Sequence, residues 1–465
     1  MLVLAMTGLL VEICFVGMAL LRDLTGHMIP FLAFYGVACL GYGTAVYLLL
    51  RGRCGSDGTR ALLAILSLAI LFRITLLCAT PPTLSSDVYR YIWDGRMMNA
   101  GVNPYAHAVN SPLLDRFDSP QRALVNHSWM ASPYLPVAQL FFAAVYRLAP
   151  DSPFSFQVAA VLLDLLTGWL VLDLLRRMGL PRPWALIYLW NPLVVVEFAH
   201  GAHLDALMTC LVIAALWCLI AARSALLSAM ALAAATLTKG LPALLVPILA
   251  RRWGWRYTLA YAVFVVAACI PFGLGGGWGL IGPLDGEGLF GALRIYTAYW
   301  RFYAGLYHWL ESGLSSLWTN VAAALGAIDW PPVLAARLIV LVALGLVVIV
   351  VWRKGRRCST DLALLRLALV PLAAYLLLAT TVHPWYVTLV VPFLPFLPSR
   401  DRDMGRTGRL LLPWLYFSAV VPLSYLTYLD PANPREFGLV RLVGYVPLHV
   451  LLIWSALLGA KKRRV

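Results

Sequence analysis

Apolar residues run in blocks of about 20 along nearly the whole chain, separated by short polar stretches. Wound as a helix, a block of that length matches the hydrocarbon thickness of a bilayer. The blocks predict spanning helices at roughly 3–22, 29–50, 60–80, 154–175, 184–199, 203–222, 224–250, 255–273, 332–352, 362–380, 384–398, 410–428 and 439–459. Two weaker runs, 136–149 and 302–327, are read as dipping into the membrane or lying along it. The pattern predicts an all-α polytopic membrane protein with about 12–14 transmembrane helices. Runs this long exclude a β-barrel, whose strands need only about 10 residues each.

Composition agrees with that pattern. Of 465 residues, 62% are hydrophobic and 12% charged, against roughly 25% charged in soluble domains. Soluble enzymes and disordered scaffolds are excluded. The net charge of +15 would suggest nucleic acid as a partner in a soluble chain, but here 21 of the 36 basic residues fall into six short gaps. These are Arg51, Arg53 and Arg60; Arg176, Arg177 and Arg182; Arg251, Arg252 and Arg256; Arg353, Lys354, Arg356 and Arg357; Arg400, Arg402, Arg406 and Arg409; and Lys461, Lys462, Arg463 and Arg464. Such clusters mark cytoplasmic loops, so the charge is read as topology and no nucleic-acid partner is expected.

That topology places both termini inside and loops 81–135 and 274–301 outside. A full crossing at 136–149 would put Arg176–Arg182 on the wrong side, so that run dips and 224–250 is split near Gly240-Leu241-Pro242. The eight cysteines show no CxxC or CxxH spacing, which leaves no disulfide or zinc framework. The first run lacks a basic leader and a cleavage site and contains Glu12, so it is read as a retained span.

Loop 81–135 is long, balanced in charge and aromatic, the profile of a functional loop. After Pro81-Pro82, Ser85 or Ser86 can cap a helix that starts near Asp87. Helical spacing puts Asp87, Tyr91 and Asp94 on one face and Tyr89, Trp93 and Arg96 on another, with Arg90 able to reach Asp94. A carboxylate at a helix start above the bilayer suits a general base for a sugar hydroxyl arriving from water. A solvated amphipathic helix is the alternative. Gly101-Val102-Asn103-Pro104-Tyr105 then reverses the chain.

Further along, Trp190-Asn191-Pro192 precedes Glu197, His200, Gly201, His203 and Asp205, of which Glu197, His200 and Asp205 are ionisable groups at a span boundary. Too few ligands gather there for a metal site, so no metal is expected. Lys239 in Thr238-Lys239-Gly240-Leu241-Pro242 can hold a phosphate or simply snorkel. His383-Pro384-Trp385-Tyr386 opens a span on the outer side, where a histidine can donate to a phosphate oxygen or sit within an aromatic belt. Arg294, Tyr296, Tyr299, Trp300 and Arg301 can clamp a phosphate from the second outer loop.

Taken in order, D-x-Y-R-Y-x-W-D-G-R, G-x-N-P-Y, W-N-P-L…E…G-x-H-x-D, T-K-x-x-P and H-P-W-Y resemble the GT-C superfamily of membrane glycosyltransferases. The likeness is greatest to bacterial polyprenyl-phosphomannose-dependent mannosyltransferases, the PimE-like and MptB-like enzymes. It covers residues 60 to about 398, with 1–59 as added N-terminal spans and 399–465 as C-terminal spans and tail, in one polytopic domain. The resemblance implies inverting transfer of a sugar, mannose foremost, from a polyprenyl-phosphate donor to a glycan or glycolipid outside the bacterial inner membrane. It implies catalytic roles for Asp87 and His383. Beside these, the reading of the residues themselves expects substrate contacts from Tyr91, Asp94, Arg96, Tyr105, His200, Asp205, Lys239, Arg301 and Tyr386. Relatives often carry two acidic residues in the first motif, where this chain has Ser85 and Ser86 before Asp87, so no metal-binding D-x-D pair and no cofactor are expected. A flippase or transporter of lipid-linked sugars and a non-catalytic scaffold remain as rival readings.

Overall fold

The computed structural model describes residues 2–52, 58–78, 81–325, 332–398, 408–430 and 433–461. Arg53, Arg400, Arg402, Arg406, Lys462, Arg463 and Arg464, read above as orientation signals, lie outside them. Helices α1 (Leu2–Leu21), α2 (Met28–Leu50) and α3 (Gly58–Leu77) come first. Helices α4 (Asp87–Asn99) and α5 (Pro136–Leu148) follow, then α6 (Pro153–Arg177). Two single-turn helices, α7 (Leu186–Leu189) and α8 (Pro192–Val195), lead to α9 (Asp205–Ile220), α10 (Ala225–Thr236) and α11 (Val246–Gly276). The remainder is α12 (Gly291–Tyr299), α13 (Leu306–Leu325), α14 (Pro332–Gly355), α15 (Asp361–Leu378), α16 (Pro384–Val387), α17 (Leu411–Val420) and α18 (Gly438–Lys461). Among the described residues no strand forms beyond one isolated bridge, Phe302 with Thr381. The protein is all-α and polytopic.

Nine helical stretches among the described residues are long and apolar enough to cross a bilayer, and four shorter apolar segments lie between them. The long ones turn large apolar side chains outward, as Leu338, Leu341, Val342 and Leu346 of α14 do, because their solvent is lipid. The expected span at 184–199 is not one helix. Pro183 and Pro192 each sit in a first turn, so the run breaks into a 3₁₀ turn at Arg182–Ala185, then α7, α8 and a π turn at Val196–His200. Proline gives no N–H to the preceding turn and fits best where a helix begins. The expected span at 384–398 is broken in the same way into α16 and a 3₁₀ stretch at Val391–Phe396.

Broken backbone at membrane depth survives only when protein surrounds it. Trp190, Leu193, Val194, Phe393 and Leu394 are accordingly buried, so the two proline-broken segments form the centre of the bundle. Arg73 of α3 pins this centre. Its guanidinium donates to Asp164 of α6 at 2.6 Å and to the Leu189 carbonyl at 2.8 Å, while Tyr188 donates to Asp164 at 2.6 Å. Arg73 and Asp164 are both fully buried.

The run at 224–250 also divides: α10 stops at Thr236 and a 3₁₀ turn resumes at Leu241–Leu245. Inside α11 the chain bends at Gly254, whose φ of +75° only glycine adopts freely. Helix α5, with 13 residues, reaches about 20 Å and falls short of the hydrocarbon thickness. It packs on α4, where a Cβ at Gly95 would stand 2.6 Å from the Phe142 carbonyl oxygen. The segments 81–135 and 274–301 also meet. Gly288 N donates to the Tyr105 carbonyl at 2.8 Å, and Asn103 Nδ2 to the Phe272 carbonyl at 2.9 Å.

Candidate functional site

Helix α4 starts at Asp87, and Ser85 Oγ accepts the Asp87 backbone N–H at 3.2 Å. One turn on, Arg90 is buried and does not pair with Asp94. It donates instead to the carbonyls of Asn126, His127 and Met130 at 2.9, 2.8 and 3.2 Å, a cluster of acceptors that outweighs one neighbouring carboxylate. This fastens residues 126–130 across the first turn of α4. Asn126 Nδ2 then donates to Asp87 Oδ1 at 2.7 Å. The Asp87 carboxylate is thus aimed by a helix start and by a side chain from a distant loop.

Facing it are the breaks in the bundle. Asp205 at the start of α9 is fully buried and accepts from Lys239 Nζ at 2.5 Å. The ammonium stands 5.0 Å from the Tyr386 ring centroid, and Tyr386 shares a 2.6 Å hydrogen bond with Tyr296 of α12. His383 stacks between Trp385 (4.4 Å, 3°) and Phe302 (4.5 Å, 18°). Asp87, Asp205, Lys239, His383 and Tyr386 line one cavity of about 770 Å³, in the range of pockets that take up multi-ring ligands. One end offers a carboxylate able to accept a proton, the other an ammonium and an imidazole able to face an anion.

Of the second-loop residues read as a phosphate clamp, Tyr296 and Trp300 line the same cavity, whereas Tyr91, Asp94, Arg96, Tyr105, His200 and Arg301 lie outside its wall, each engaged elsewhere. Tyr91 stacks on Phe142 (4.6 Å, 11°) and accepts the Leu204 N–H at 3.4 Å. Asp94 accepts from Ser132 at 2.5 Å and Gln139 at 3.1 Å. Burial pushes the Asp94 carboxyl up to about 6, against the opposing pull of Arg90 and these two donors. Arg96 holds Asp151, Tyr146 and the Phe117 carbonyl. Tyr105 is buried and donates to the Tyr134 carbonyl at 2.5 Å. His200 accepts from the Thr83 backbone at 3.2 Å, and Arg301 pairs with Glu311 at 2.9 Å. Tyr91 and His200 still brace the wall, since Thr83 lines the cavity and Leu204 precedes Asp205.

Sequence reasoning missed several lining residues. Asn126 lies 39 positions from its partner, and no local pattern marks it. Thr25 from the α1–α2 turn and Tyr425 and Tyr428 after α17 bring segments far apart in the chain to the cavity. His203, named in the sequence without a role, lies behind the cavity wall, fully buried and stacked on Trp385 at 3.9 Å and 15°. Among the described residues no three His, Cys, Asp or Glu side chains gather as a metal site.

Comparison with known proteins adds three findings. A family model described as "Alpha-(1->6)-mannopyranosyltransferase, N-terminal domain" matches residues 6–255. The chain is 29% identical over 140 residues to alpha-(1->6)-mannopyranosyltransferase A of Corynebacterium glutamicum, a match covering 28% of this chain and 27% of that protein, about a quarter of its length. No solved structure matches the chain. With a family model covering more than half of its residues, this chain belongs to the alpha-(1->6)-mannopyranosyltransferase family.

Proposed function

We propose that the chain transfers a mannosyl residue from a polyprenyl-phosphate donor to a hydroxyl of an envelope glycan or glycolipid, with inversion at the anomeric carbon. The observation that carries this reading is the shared cavity of Asp87, Lys239 and His383. The family name and the relative's name supply the sugar; the polyprenyl phosphate rests on the motif resemblance and on the membrane setting.

Asp87 takes the proton from the acceptor hydroxyl as its oxygen forms a bond to C1. The bond from C1 to the phosphate oxygen breaks, and the phosphate leaves on the lipid. Attack opposite the leaving group inverts the centre in one displacement. The C1 carbon is electron-poor along the way, and charge grows on the departing phosphate. Lys239 and His383 stabilise that charge in a site where few waters screen it. Asp205 keeps the ammonium placed through their 2.5 Å pair. The general base supplies a factor of about 10²–10⁴ in rate. The site opens to the extracytoplasmic side of a bacterial inner membrane, with both termini in the cytoplasm, so the lipid phosphate alone drives transfer and no nucleotide is needed.

The test is incubation of the purified chain, reconstituted in liposomes, with synthetic polyprenyl phosphomannose and octyl α-mannoside. The expected product is an octyl dimannoside, detected by mass spectrometry. Donor crossing the bilayer with no new glycosidic bond would instead make the chain a lipid-sugar translocator.

A further inference from the structure

His203 is the one fully buried imidazole beside the Asp87 carboxylate, and both its ring nitrogens lack a hydrogen-bond partner. Nδ1 lies 3.8 Å from Asp87 Oδ2, and Nε2 lies 3.3 Å from Glu197 Oε2. Two unsatisfied nitrogens on a buried ring are costly and rare in native structures. The surroundings nevertheless fix the ring. It stacks on Trp385 at 3.9 Å, and that indole stacks in turn on His383 at 4.4 Å. The preceding Ala202 takes the left-handed φ of +56°, a conformation uncommon outside glycine. At Gly201 a Cβ would stand 2.7 Å from His203 Cδ2, so only glycine leaves room for the imidazole. A strained turn and a tight glycine hold this ring between two carboxyl groups.

Glu197 is buried beyond it, with Tyr425 donating toward both its oxygens at 3.0 Å. An ionised carboxylate at such a place, with no cation against it, is expensive, whereas a neutral carboxyl has a proton to give to Nε2. A histidine that accepts at one nitrogen must carry its proton on the other. We propose that His203 is a positioning residue for Asp87. Glu197 donates to Nε2 and fixes the tautomer, and Nδ1–H donates to Asp87 Oδ2 once substrate closes the remaining gap. Catalytic hydrogen bonds are often long in empty sites and tighten in the substrate complex. With Asn126 on Oδ1 and His203 on Oδ2, the carboxylate is held from both sides while a lone pair on one oxygen stays free for the acceptor proton. His203 itself gains and loses no proton in the step: the acceptor's proton goes to Asp87 as the glycosidic bond forms.

This inference rests on Asp87 as the general base, and its test separates the two. Transfer from synthetic polyprenyl phosphomannose to octyl α-mannoside is measured for His203→Phe, His203→Asn, Glu197→Leu, Glu197→Gln and Asp87→Asn, with kcat and donor KM read separately. His203→Phe keeps the stack on Trp385 but removes both nitrogens, and kcat falls roughly 10–100-fold, the effect typical of groups that orient a reacting residue, with donor KM unchanged. His203→Asn, whose amide can stand where Nδ1–H stood, recovers part of that loss. Glu197→Leu lowers kcat, and Glu197→Gln, which can still donate to Nε2, recovers most of it. A His203→Phe variant with wild-type kcat, or an Asn variant no better than a misfolded Phe variant, overturns the positioning role. If Asp87→Asn is inactive in that same experiment, the base assignment stands while the His203 role alone falls. Wild-type turnover by Asp87→Asn removes both.

Discussion

Single side chains in this protein are decided by who can reach them across the fold. Arg90 and Asp94 stand at helical spacing, yet Arg90 binds three carbonyls and Asp94 binds Ser132 and Gln139. Sequence spacing offers a pair; it does not weigh the distant competitors. The same limit hid Asn126 and Tyr425 and left His203 without a role, while Asp87, Lys239 and His383 stood out because charged or polar residues are conspicuous in an apolar chain. Asp94 gives a measurable consequence. Its folded-state value of about 6 exceeds the ordinary 3.8 because burial disfavours the anion. The folded protein therefore holds this proton more tightly than the unfolded chain does. The contribution to stability is complete below the unfolded value and is lost as pH rises through about 6. The melting temperature in detergent should drop between pH 5 and pH 7.5, by the equivalent of about 1.4 kcal/mol, and Asp94→Asn should flatten that slope. An equal slope in the variant would place the titration elsewhere.

Helices show where pattern reading works and where proline overrules it. Most long apolar runs form the expected helices, α15 and α18 even with a single internal proline, and the break near Gly240-Leu241-Pro242 falls where the arginine clusters required one. The runs at 184–199 and 384–398 are equally apolar, but Pro183, Pro192, Pro392 and Pro395 divide them into single turns. Hydropathy registers how greasy a run is, not whether its N–H groups can be paired. The second broken segment follows His383 and carries Trp385 and Tyr386, so it supplies part of the cavity wall, while the first carries Glu197 and leads toward His203 and Asp205. Arg73 ties that first segment to α3 and α6 through Asp164 and the Leu189 carbonyl. Arg73→Leu leaves a buried carboxylate without its cation and should cost about 3–5 kcal/mol, read as a lower melting temperature. Arg73→Leu combined with Asp164→Leu should regain most of it. A double variant as unstable as the single would show that the carbonyl contact, rather than the stranded charge, dominates.

At the scale of the whole molecule, residues far apart in the chain converge on one cavity: Thr25 from the α1–α2 turn, Asp87 and Asn126 from the segment 81–135, and Tyr425 and Tyr428 after α17. The membrane class was legible in composition alone. Convergence was not, because it depends on which helices pack, and near-uniform apolar faces leave that choice unmarked. Sidedness has a direct check in a cysteine-free background. A cysteine at Leu113, exposed in the segment 81–135, should react with a membrane-impermeant maleimide on intact cells. One at Arg357, in the basic gap after α14, should react only after permeabilisation; the reverse order would invert the topology. The central claim is that the Asp87 carboxylate activates the acceptor in mannosyl transfer, and one substitution tests it most directly. Purified Asp87→Asn, with synthetic polyprenyl phosphomannose and octyl α-mannoside, should lose about 10²–10⁴-fold in turnover while keeping its melting temperature and its affinity for the donor. Turnover close to that of the unaltered protein would contradict the account.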